Sequence, residues 1–218
     1  DKLNEILQNR FGHATFRAGQ QEIIEQIIEK KDVIAILPTG MGKSLLYQLP
    51  AYLMEGTVVI VSPLLSLMQD QVEQLKILGE KRVIAINSFL SLQEKEMAIR
   101  RLADYKFIFT SPEMLQNEQF NLARRKLSIA YVVADEAHCI SQWGFDFRPD
   151  YLRISTWLQS IGSVNVLALT ATATAEVVDD IKKTLQMNAP FEYIHSLDRP
   201  AIAYEMIEVD NQQQKMKW

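Results

Sequence analysis

Six short runs of nearly continuous apolar residues recur along the chain and constrain its fold more than any other feature. Stretches with the spacing of amphipathic helices separate them, near 43–53, 64–78, 91–103, 112–126, 150–160 and 174–186. The runs are VIAIL (33–37), TVVIV (57–61), VIAI (83–86), FIF (107–109), IAYVVA (129–134) and VNVLAL (164–169). Strands that are apolar on both faces and alternate with helices indicate a parallel sheet covered on both sides. The sequence therefore predicts one doubly wound α/β domain.

The composition excludes several classes of protein. Of the 218 residues, 48% are hydrophobic and 23% are charged, which is typical of globular domains. The net charge of −4 provides no overall basic field for nucleic acid or a membrane surface. A single cysteine, Cys139, excludes an internal disulfide and fits a reducing compartment. Because no apolar run approaches the roughly 20 residues that span a bilayer, we expect a cytoplasmic protein with no membrane partner.

A glycine-rich segment, LPTGMGKS at 37–44, follows the first apolar run and leads into a helical stretch. The strict phosphate-loop pattern has glycine at its first position, where this chain has leucine. Gly40 and Gly42 permit the backbone to approach a phosphate closely. Lys43 would then reach the β- and γ-phosphates, and Ser44 would bind Mg²⁺. The alternative is an ordinary glycine-rich turn that carries an exposed lysine.

Two adjacent carboxylates, Asp135 and Glu136, end the apolar run at 129–134. Ligands of open α/β sheets bind at the carboxyl ends of strands. An aspartate in this place helps to hold Mg²⁺, and a glutamate beside it can orient and deprotonate a water molecule. Alternatively, the two acids cap the next helix at the surface. A phosphate loop on a separate strand favours a nucleoside triphosphate site, and the second acid favours hydrolysis over binding alone.

The segment ISQWGFDFRPDY at 140–151 combines aromatic rings with an arginine. Aromatic side chains can stack on nucleobases without sequence preference, and arginine adds positive charge. The alternative is that these rings belong to the core, where tryptophan and phenylalanine usually lie. The interspersed glycine, aspartate and proline are unfavourable for a helix or a buried strand. We therefore predict that Trp143 and Arg148 belong to a functional loop and that Phe147 is a packing residue.

Taken together, these motifs resemble those of the superfamily-two helicases and, in particular, of the RecQ DNA helicases. The resemblance extends over nearly the whole chain, and the segment at 140–151 is its most specific part. The superfamily tolerates a first position other than glycine in the phosphate loop. The matching segments are FGHATFRAGQ (11–20), LPTGMGKS (37–44), SPLLSLMQDQ (62–71), TSPE (110–113), DEAH (135–138), ISQWGFDFRPDY (140–151) and ALTATA (168–173).

The resemblance implies a RecA-like P-loop NTPase domain, with a mostly parallel central sheet, that uses ATP and Mg²⁺. Glu136 would be the catalytic base, assisted by Lys43 and Asp135, and Ser44 and Asp135 would bind the metal ion. Residues that would hold the phosphates and the ion are Thr39, Gly40, Met41, Gly42, Lys43 and Ser44.

The resemblance also assigns roles on either side of the phosphates. Gln20 would read the adenine edge with the help of Arg17, while His13 stands where the family often has an aromatic ring. His138 would sense the state of the nucleotide and couple it to the nucleic-acid side. There, single-stranded and partly duplex DNA would be bound by Ser62, Ser66, Trp143, Phe145 and Arg148. Phe145 takes a place where the family often has histidine. Small polar residues such as Ser62 are equally common in ordinary turns.

The function implied is that of an ATP-dependent DNA helicase of RecQ type, intracellular and acting in DNA repair and recombination. Residues 1–196 would form its first motor domain, with N-terminal helices at 1–31, and residues 197–218 would lead to a second RecA-like domain of the same chain. That domain would supply an arginine finger, so we expect this part alone to be weakly active. A nucleotide-binding regulatory module and a DEAH-type RNA helicase domain remain the alternatives.

Overall fold

A computed structural model describes residues 1–195 of the chain and contains one seven-stranded sheet. All neighbouring strands are parallel, in the order β3-β4-β2-β5-β6-β1-β7. The strands are β1 (Val33–Ile36), β2 (Thr57–Val61), β3 (Val83–Ile86), β4 (Phe107–Thr110), β5 (Ile129–Ala134), β6 (Val166–Thr170) and β7 (Phe191–Ile194). The α-helices are α1 (Lys2–Asn9), α2 (Gln20–Ile28), α3 (Lys43–Gln48), α4 (Leu65–Ile77), α5 (Leu92–Arg100), α6 (Glu118–Arg124), α7 (Arg153–Ile161) and α8 (Ala175–Thr184).

Alternate residues of each central strand enter different hydrophobic cores. In β1, Val33 and Ala35 pack with α1–α4, whereas Ile34 and Ile36 pack with α5–α8. The same alternation occurs in β2, β5 and β6, because successive side chains of a strand point to opposite faces. The predicted fold class, a parallel sheet with helices on both faces, is confirmed. In residues 1–195, no helix is long and apolar enough to cross a membrane, and the expected linker at 197–218 lies outside the described residues.

Four stretches expected to be continuous helices contain short 3₁₀ turns, so the prediction was wrong in this detail. Three of the turns begin at a proline, and the fourth does not: Pro50–Leu53, Pro112–Gln116, Pro149–Leu152 and Leu102–Asp104. Pro50 lies within its stretch, where it has no backbone N–H to donate and its ring clashes with the preceding turn. Pro112 and Pro149 stand at the start of theirs, where proline is tolerated. The α-helices of these stretches are therefore shorter than the apolar spacing suggested.

Strand β7 was not predicted from the sequence. It lies at the edge of the sheet beside β1, and the Phe191 N–H donates to the Asp32 carbonyl over 2.9 Å. Its sequence, FEYI, is only partly buried and contains Glu192, which pairs with Lys182 of α8. Because the side chains of β7 are only partly buried, this strand needs no continuous apolar run. The apolar-run criterion therefore missed it.

A polar network fastens the end of α1 to the sheet. The Arg10 guanidinium lies 4.0 Å above the Tyr52 ring, and the Tyr52 hydroxyl donates to Glu80 over 2.7 Å. Arg82 donates to the Glu80 carboxylate through Nε and Nη2, over 3.0 and 3.1 Å. Burial alone would raise the pKa of Glu80, but the hydrogen bonds from Arg82 and Tyr52 hold it at about 2. The carboxylate is thus strongly favoured in the folded state.

Replacing Glu80 by glutamine should destabilise the fold by about 2 kcal/mol at pH 7, because hydrogen bonds to a charged acceptor are lost. The folded pKa of about 2 lies below the ordinary 4.5, so this stability is present above pH 4.5 and is lost as the pH falls towards 2. Urea unfolding measures the free energy of unfolding of both chains. The difference between them should be largest at pH 7 and should shrink as the pH is lowered. Glu96→Gln, at an exposed site, is the control, and a difference independent of pH would contradict the prediction.

Candidate functional site

Three neighbouring strands bring the predicted nucleotide-binding residues to one edge of the sheet. Strand β6 lies between β1 and β5, and all three end at the same edge. The phosphate loop follows β1, and Asp135 and Glu136 follow β5. Lys43 lies close enough to Asp135 for its positive charge to lower the pKa of that carboxyl. The structure therefore unites two segments that are about 90 positions apart in sequence.

The phosphate loop has the backbone that its glycines predicted. Gly40 and Gly42 have φ of +88° and +73°, a region that favours glycine. A Cβ at Gly40 would meet no atom within 4 Å, so the backbone there is open to a ligand. Leu37, at the position where the strict pattern has glycine, is buried in the α1–α4 core. The remaining loop residues differ in exposure: Thr39 is exposed, and Met41, Lys43 and Ser44 are half-buried.

Arg17 and Gln20 contact the phosphate loop directly. The Arg17 guanidinium donates to the Gly40 carbonyl over 2.7 Å, and the Gln20 amide donates to the Gly42 carbonyl over 3.2 Å. The Gln20 side-chain oxygen also accepts the Arg17 N–H over 2.8 Å. A Cβ at Gly42 would lie 2.6 Å from the Gln20 amide nitrogen, so only glycine permits this approach. The sequence reasoning expected these side chains at a base, and it did not predict their contacts with the loop.

A cavity of about 370 Å³ adjoins Gln20 and the phosphate loop, a volume within the range of small-molecule pockets. Its wall includes buried Phe11, exposed His13 and buried Gln48. Strand β7 supports this region, because a Cβ at Gly19 would lie 2.3 Å from the Tyr193 ring. The positive φ of Gly19, +86°, lets the chain turn into α2 against that ring.

The acidic pair is held in an unfavourable environment. Burial and the negative charge of Glu136 raise the pKa of Asp135 to about 6, although Lys43 opposes this shift. Glu136 adopts a left-handed backbone, φ 52° and ψ 46°, which is uncommon for a residue with a side chain. The buried Tyr151 hydroxyl donates to the Asp135 carbonyl over 2.6 Å and fixes the end of β5. The Asp135 carboxylate therefore lacks full compensation from the protein.

His138 is buried behind the acids and is oriented by Thr170. Its Nδ1 lies 2.8 Å from the Thr170 hydroxyl oxygen, and that hydroxyl donates to the Thr172 carbonyl over 3.0 Å. Nδ1 must then carry the hydrogen of this contact, which leaves the Nε2 lone pair on the side of Glu136, 3.7 Å from its Oε1. Burial lowers the pKa of His138, so the ring is neutral at pH 7. His138 and Glu136 are thus adjacent but are not an ion pair.

The aromatic segment forms an exposed loop against His138. The side chains of Trp143 and Phe145 are 75% and 76% exposed, so neither ring belongs to the core. The Phe145 ring stacks on the His138 imidazole, with centroids 4.3 Å apart and planes inclined by 17°. Gly144 allows this approach, because a Cβ there would lie 2.7 Å from the His138 carbonyl oxygen. Phe147 is half-buried, in keeping with a packing residue.

Arg148 is partly neutralised within its own loop. Its guanidinium contacts Asp146 over 3.2 Å, and its backbone N–H donates to the Cys139 carbonyl over 2.9 Å. His138, Cys139 and Asp146 place possible metal-ligand atoms within 4.8 Å of one another. Burial raises the pKa of the Cys139 thiol to about 12, and Asp146 already pairs with Arg148. Cys139 therefore behaves as a small buried apolar residue.

The two predicted serines differ in their environment. Ser62 is buried, and its hydroxyl oxygen accepts the Leu64 N–H over 3.3 Å. Ser66 is exposed in the first turn of α4. The hydroxyl of Ser62 therefore supports the turn, while that of Ser66 faces solvent.

Sequence reasoning missed three residues that hold the site together. Tyr151 supports Asp135, and Thr170 orients His138. Asp180 of α8 accepts a hydrogen bond from Ser141, over 2.6 Å, at the start of the aromatic loop. The partners in these contacts are 16, 32 and 39 positions apart, so no local spacing announces them.

Comparison with known proteins places this geometry in a family. A family model described as DEAD/DEAH box helicase matches residues 17–181, which include the phosphate loop and the acidic pair. The chain belongs to the DEAD/DEAH box helicase family. Among curated helicases it is 50% identical to the probable ATP-dependent DNA helicase RecS of Bacillus subtilis, over 93% of this chain and 41% of the relative. It is 39% identical to the ATP-dependent DNA helicase RecQ of Pasteurella multocida, over 94% of this chain and 32% of the relative.

Solved helicase structures share the fold of this domain. The helicase MrfA matches 90% of this chain and 33% of its own with a TM-score of 0.68 at 17% identity. The Hef helicase domain of Pyrococcus furiosus matches 84% of this chain and 39% of its own with a TM-score of 0.63 at 22% identity. The prediction of a RecA-like helicase domain is confirmed. The chain spans about two fifths or less of the length of these helicases.

The raised pKa of Asp135 predicts that the ionised Asp135 carboxylate lowers the free energy of unfolding of this helicase domain. Since the folded pKa of about 6 exceeds the ordinary 3.8, the folded state is favoured most below pH 3.8 and loses stability as the pH rises through 6. Asp135→Asn should therefore raise the free energy of unfolding by about 1–2 kcal/mol at pH 8.

Urea unfolding with EDTA and without nucleotide measures this effect. At pH 4 the gain should be largely absent, since Asp135 is then protonated in the folded chain. Asp150→Asn, at an exposed aspartate, provides the control. A destabilised Asp135→Asn variant at pH 8 would show that the carboxylate is compensated after all.

Proposed function

We propose that this chain is the ATP-binding motor domain of a RecQ-type, ATP-dependent DNA helicase. In the full-length protein it would hydrolyse Mg-ATP and couple hydrolysis to translocation on single-stranded DNA and to duplex unwinding. The observation that carries the proposal is the position of His138. One edge of its ring is 3.7 Å from Glu136, and one face stacks on the exposed Phe145 ring. The printed names of the most similar relatives, ATP-dependent DNA helicases, support the same assignment.

The phosphate loop and the acidic pair suit a magnesium-bound triphosphate. The open backbone at Gly40 and the helix that begins at Lys43 can receive phosphate oxygens through N–H groups. Ser44 and Asp135 offer the hydroxyl and carboxylate oxygens that Mg²⁺ prefers, and burial beside Glu136 raises the pKa of Asp135 to about 6. When bound, Mg²⁺ would neutralise charge on the phosphates. Thr39, Met41 and Gly42 complete the loop, and Lys43 would contact the terminal phosphates.

Glu136 is the proposed base that takes a proton from the attacking water. Glu136 has a left-handed backbone just after the end of β5, and the Asp135 side chain accepts its N–H over 2.9 Å. Once protonated, the Glu136 carboxyl would face the Nε2 lone pair of His138, which can accept a hydrogen bond. His138 would thus stabilise the protonated base, and a displacement of the His138 ring would weaken this hydrogen bond to the Glu136 carboxyl.

Gln20, Arg17 and His13 form the proposed base-recognition wall. Both polar atoms of the Gln20 amide already contact the protein, at Arg17 and at Gly42. An adenine that used this amide would share its oxygen or displace the Gly42 carbonyl. Base binding would therefore change the hydrogen bonding of the phosphate loop itself. His13 is exposed beside the cavity and can stack on the base.

The opposite part of the same edge is the proposed DNA side. Trp143 and Phe145 offer exposed rings, and Arg148 and Ser66 offer polar groups. Ser62 contributes by fixing its turn. Because Phe145 rests on His138, a base that stacks on this ring would act directly on the residue beside the catalytic carboxylate. This contact is the proposed path of coupling.

Residues 1–196, including the helices at 1–31, make up the proposed first motor domain, with 197–218 leading to a second RecA-like domain in the same chain. The greater length of the relatives supports a further domain. An arginine finger from that domain would raise hydrolysis by several orders of magnitude, so slow turnover is expected from this part alone. We place the protein inside the cell on DNA, in repair and recombination.

The assignment of Glu136 is tested by Glu136→Gln. We expect magnesium-dependent ATP hydrolysis to fall about 100-fold or more, because general-base catalysis contributes about 10²–10⁴. ATP affinity, measured with a fluorescent analogue, should change less than about threefold, since the amide keeps the shape of the side chain. Glu96→Gln, at an exposed site outside the motifs, should leave both unchanged. Equal hydrolysis by Glu136→Gln and the unsubstituted chain would favour a module that binds nucleotide without turnover.

The assignment of the aromatic loop is tested by Trp143→Ala. Affinity for single-stranded DNA should fall about tenfold, because one stacking platform contributes about 1–3 kcal/mol, while ATP affinity stays unchanged. Trp143→Phe should retain most of the affinity, and Leu122→Ala, an exposed apolar residue of α6, is the control. A loss of ATP affinity would show that the ring has a structural role. Competition between DNA and RNA strands of equal sequence then separates a DNA helicase from an RNA helicase.

A further inference from the structure

An exposed phenylalanine follows strand β3 without a role in the site described above. Phe89 is 67% exposed, although it lies in a segment of mostly apolar residues. Its neighbour Leu90 packs against the α5–α8 core. The loop therefore buries the smaller side chain and presents the larger aromatic ring to solvent. Burial of apolar surface alone would not favour this choice.

The turn that carries Phe89 is rigidly anchored. Asn87 is 3% exposed, and its side-chain oxygen accepts the Phe89 N–H over 2.9 Å. Its backbone carbonyl accepts the Leu90 N–H over 3.2 Å, and its amide nitrogen contacts Met68 of α4. Just before it, the Ile86 carbonyl accepts the Thr110 hydroxyl from β4 over 3.0 Å. The backbone of the turn that carries the ring is thus held by buried groups on three elements.

The hydrogen bond from the Phe89 N–H to the Asn87 side chain has counterparts in the loops that follow β2 and β5. In each, a buried polar residue accepts, through its side-chain oxygen, the N–H of the residue two positions later. Ser62 holds Leu64 in this way over 3.3 Å, and Ser141 holds Trp143 over 3.1 Å. Phe89 is therefore presented by the turn geometry that presents Trp143, at the same edge of the sheet.

We propose that Phe89 is a second base-stacking platform for single-stranded nucleic acid, an inference that rests on the proposed function. Strands β3 and β5 are separated by β4 and β2, so at about 4.8 Å per step the ends of β3 and β5 lie about 14 Å apart. The exposed first turn of α4, with Ser66, follows β2 between them. A strand running along this edge would meet Trp143, then Ser66, then Phe89.

Stacking on a lone phenylalanine needs no specific base edge and neutralises no phosphate. The contribution of Phe89 should therefore be similar for different base sequences and independent of salt. A hydrophobic contact with a protein partner would have a different chemical signature, because an aliphatic side chain of similar size can replace phenylalanine there.

The test measures binding of fluorescent oligothymidine to this chain across a range of salt concentrations. Phe89→Ala should weaken binding about tenfold without changing the slope of log affinity against log salt. Phe89→Trp should retain binding, whereas Phe89→Leu should behave like Phe89→Ala. Leu122→Ala is again the control, and an unchanged midpoint of urea unfolding shows that each variant is folded. Photo-crosslinking of oligonucleotides that contain 5-iododeoxyuridine should yield an adduct at Phe89.

Other outcomes separate this inference from the proposed function. If Trp143→Ala weakens binding and Phe89→Ala does not, the inference is overturned and the proposed function stands. If Phe89→Leu retains full affinity, the ring is not a stacking platform, and the inference is again overturned. If the unsubstituted chain binds no single strand at all, the proposed function and the inference fall together.

Discussion

Strands β1, β2, β5 and β6 are buried on both faces, so a polar side chain can reach solvent only where one of these strands ends. Because every strand runs in the same direction, all carboxyl ends lie along a single edge of the sheet. The phosphate loop, the acidic pair and the aromatic loop are therefore neighbours by topology. Each site residue follows a buried strand that fixes its position. The connection can be very short, as between Ala134 and Ala137.

At this edge of the sheet, the negative charge of the two acids exceeds the positive charge that Lys43 supplies. Asp135 is buried beside a second acid, and Lys43 offsets only part of the cost, which leaves the pKa of Asp135 at about 6. Behind the pair, His138 is neutral and turns a lone pair, not a proton, towards Glu136. A bound cation would favour the ionised form of Asp135, and a proton on Glu136 would remove the repulsion between its carboxylate and the lone pair of His138. The folded state thus favours the charge changes that hydrolysis would bring.

Much of this arrangement could be predicted, because its signals are local. The acidic pair can be predicted from a few consecutive residues, because Asp135 and Glu136 follow an apolar run directly. The phosphate loop can be predicted from the turn that contains Gly40 and Gly42. Strand β7 could not be predicted, since an edge strand containing Glu192 has no continuous apolar run. The supports of the site, Tyr151 and Asp180, act on residues 16 and 39 positions away. Such contacts exist only once the chain is folded.

The two exposed rings of the aromatic loop bear on different parts of the domain. Phe145 stacks on His138 and through it adjoins Glu136. The Trp143 N–H is held by Ser141, whose hydroxyl donates to Asp180 of α8. A base on Phe145 would therefore act on the carboxylate, and a base on Trp143 would act on α8. Because buried hydrogen bonds already order the loop that carries these rings, little of the stacking energy would be lost to ordering it. More of that energy would remain to displace His138 and α8.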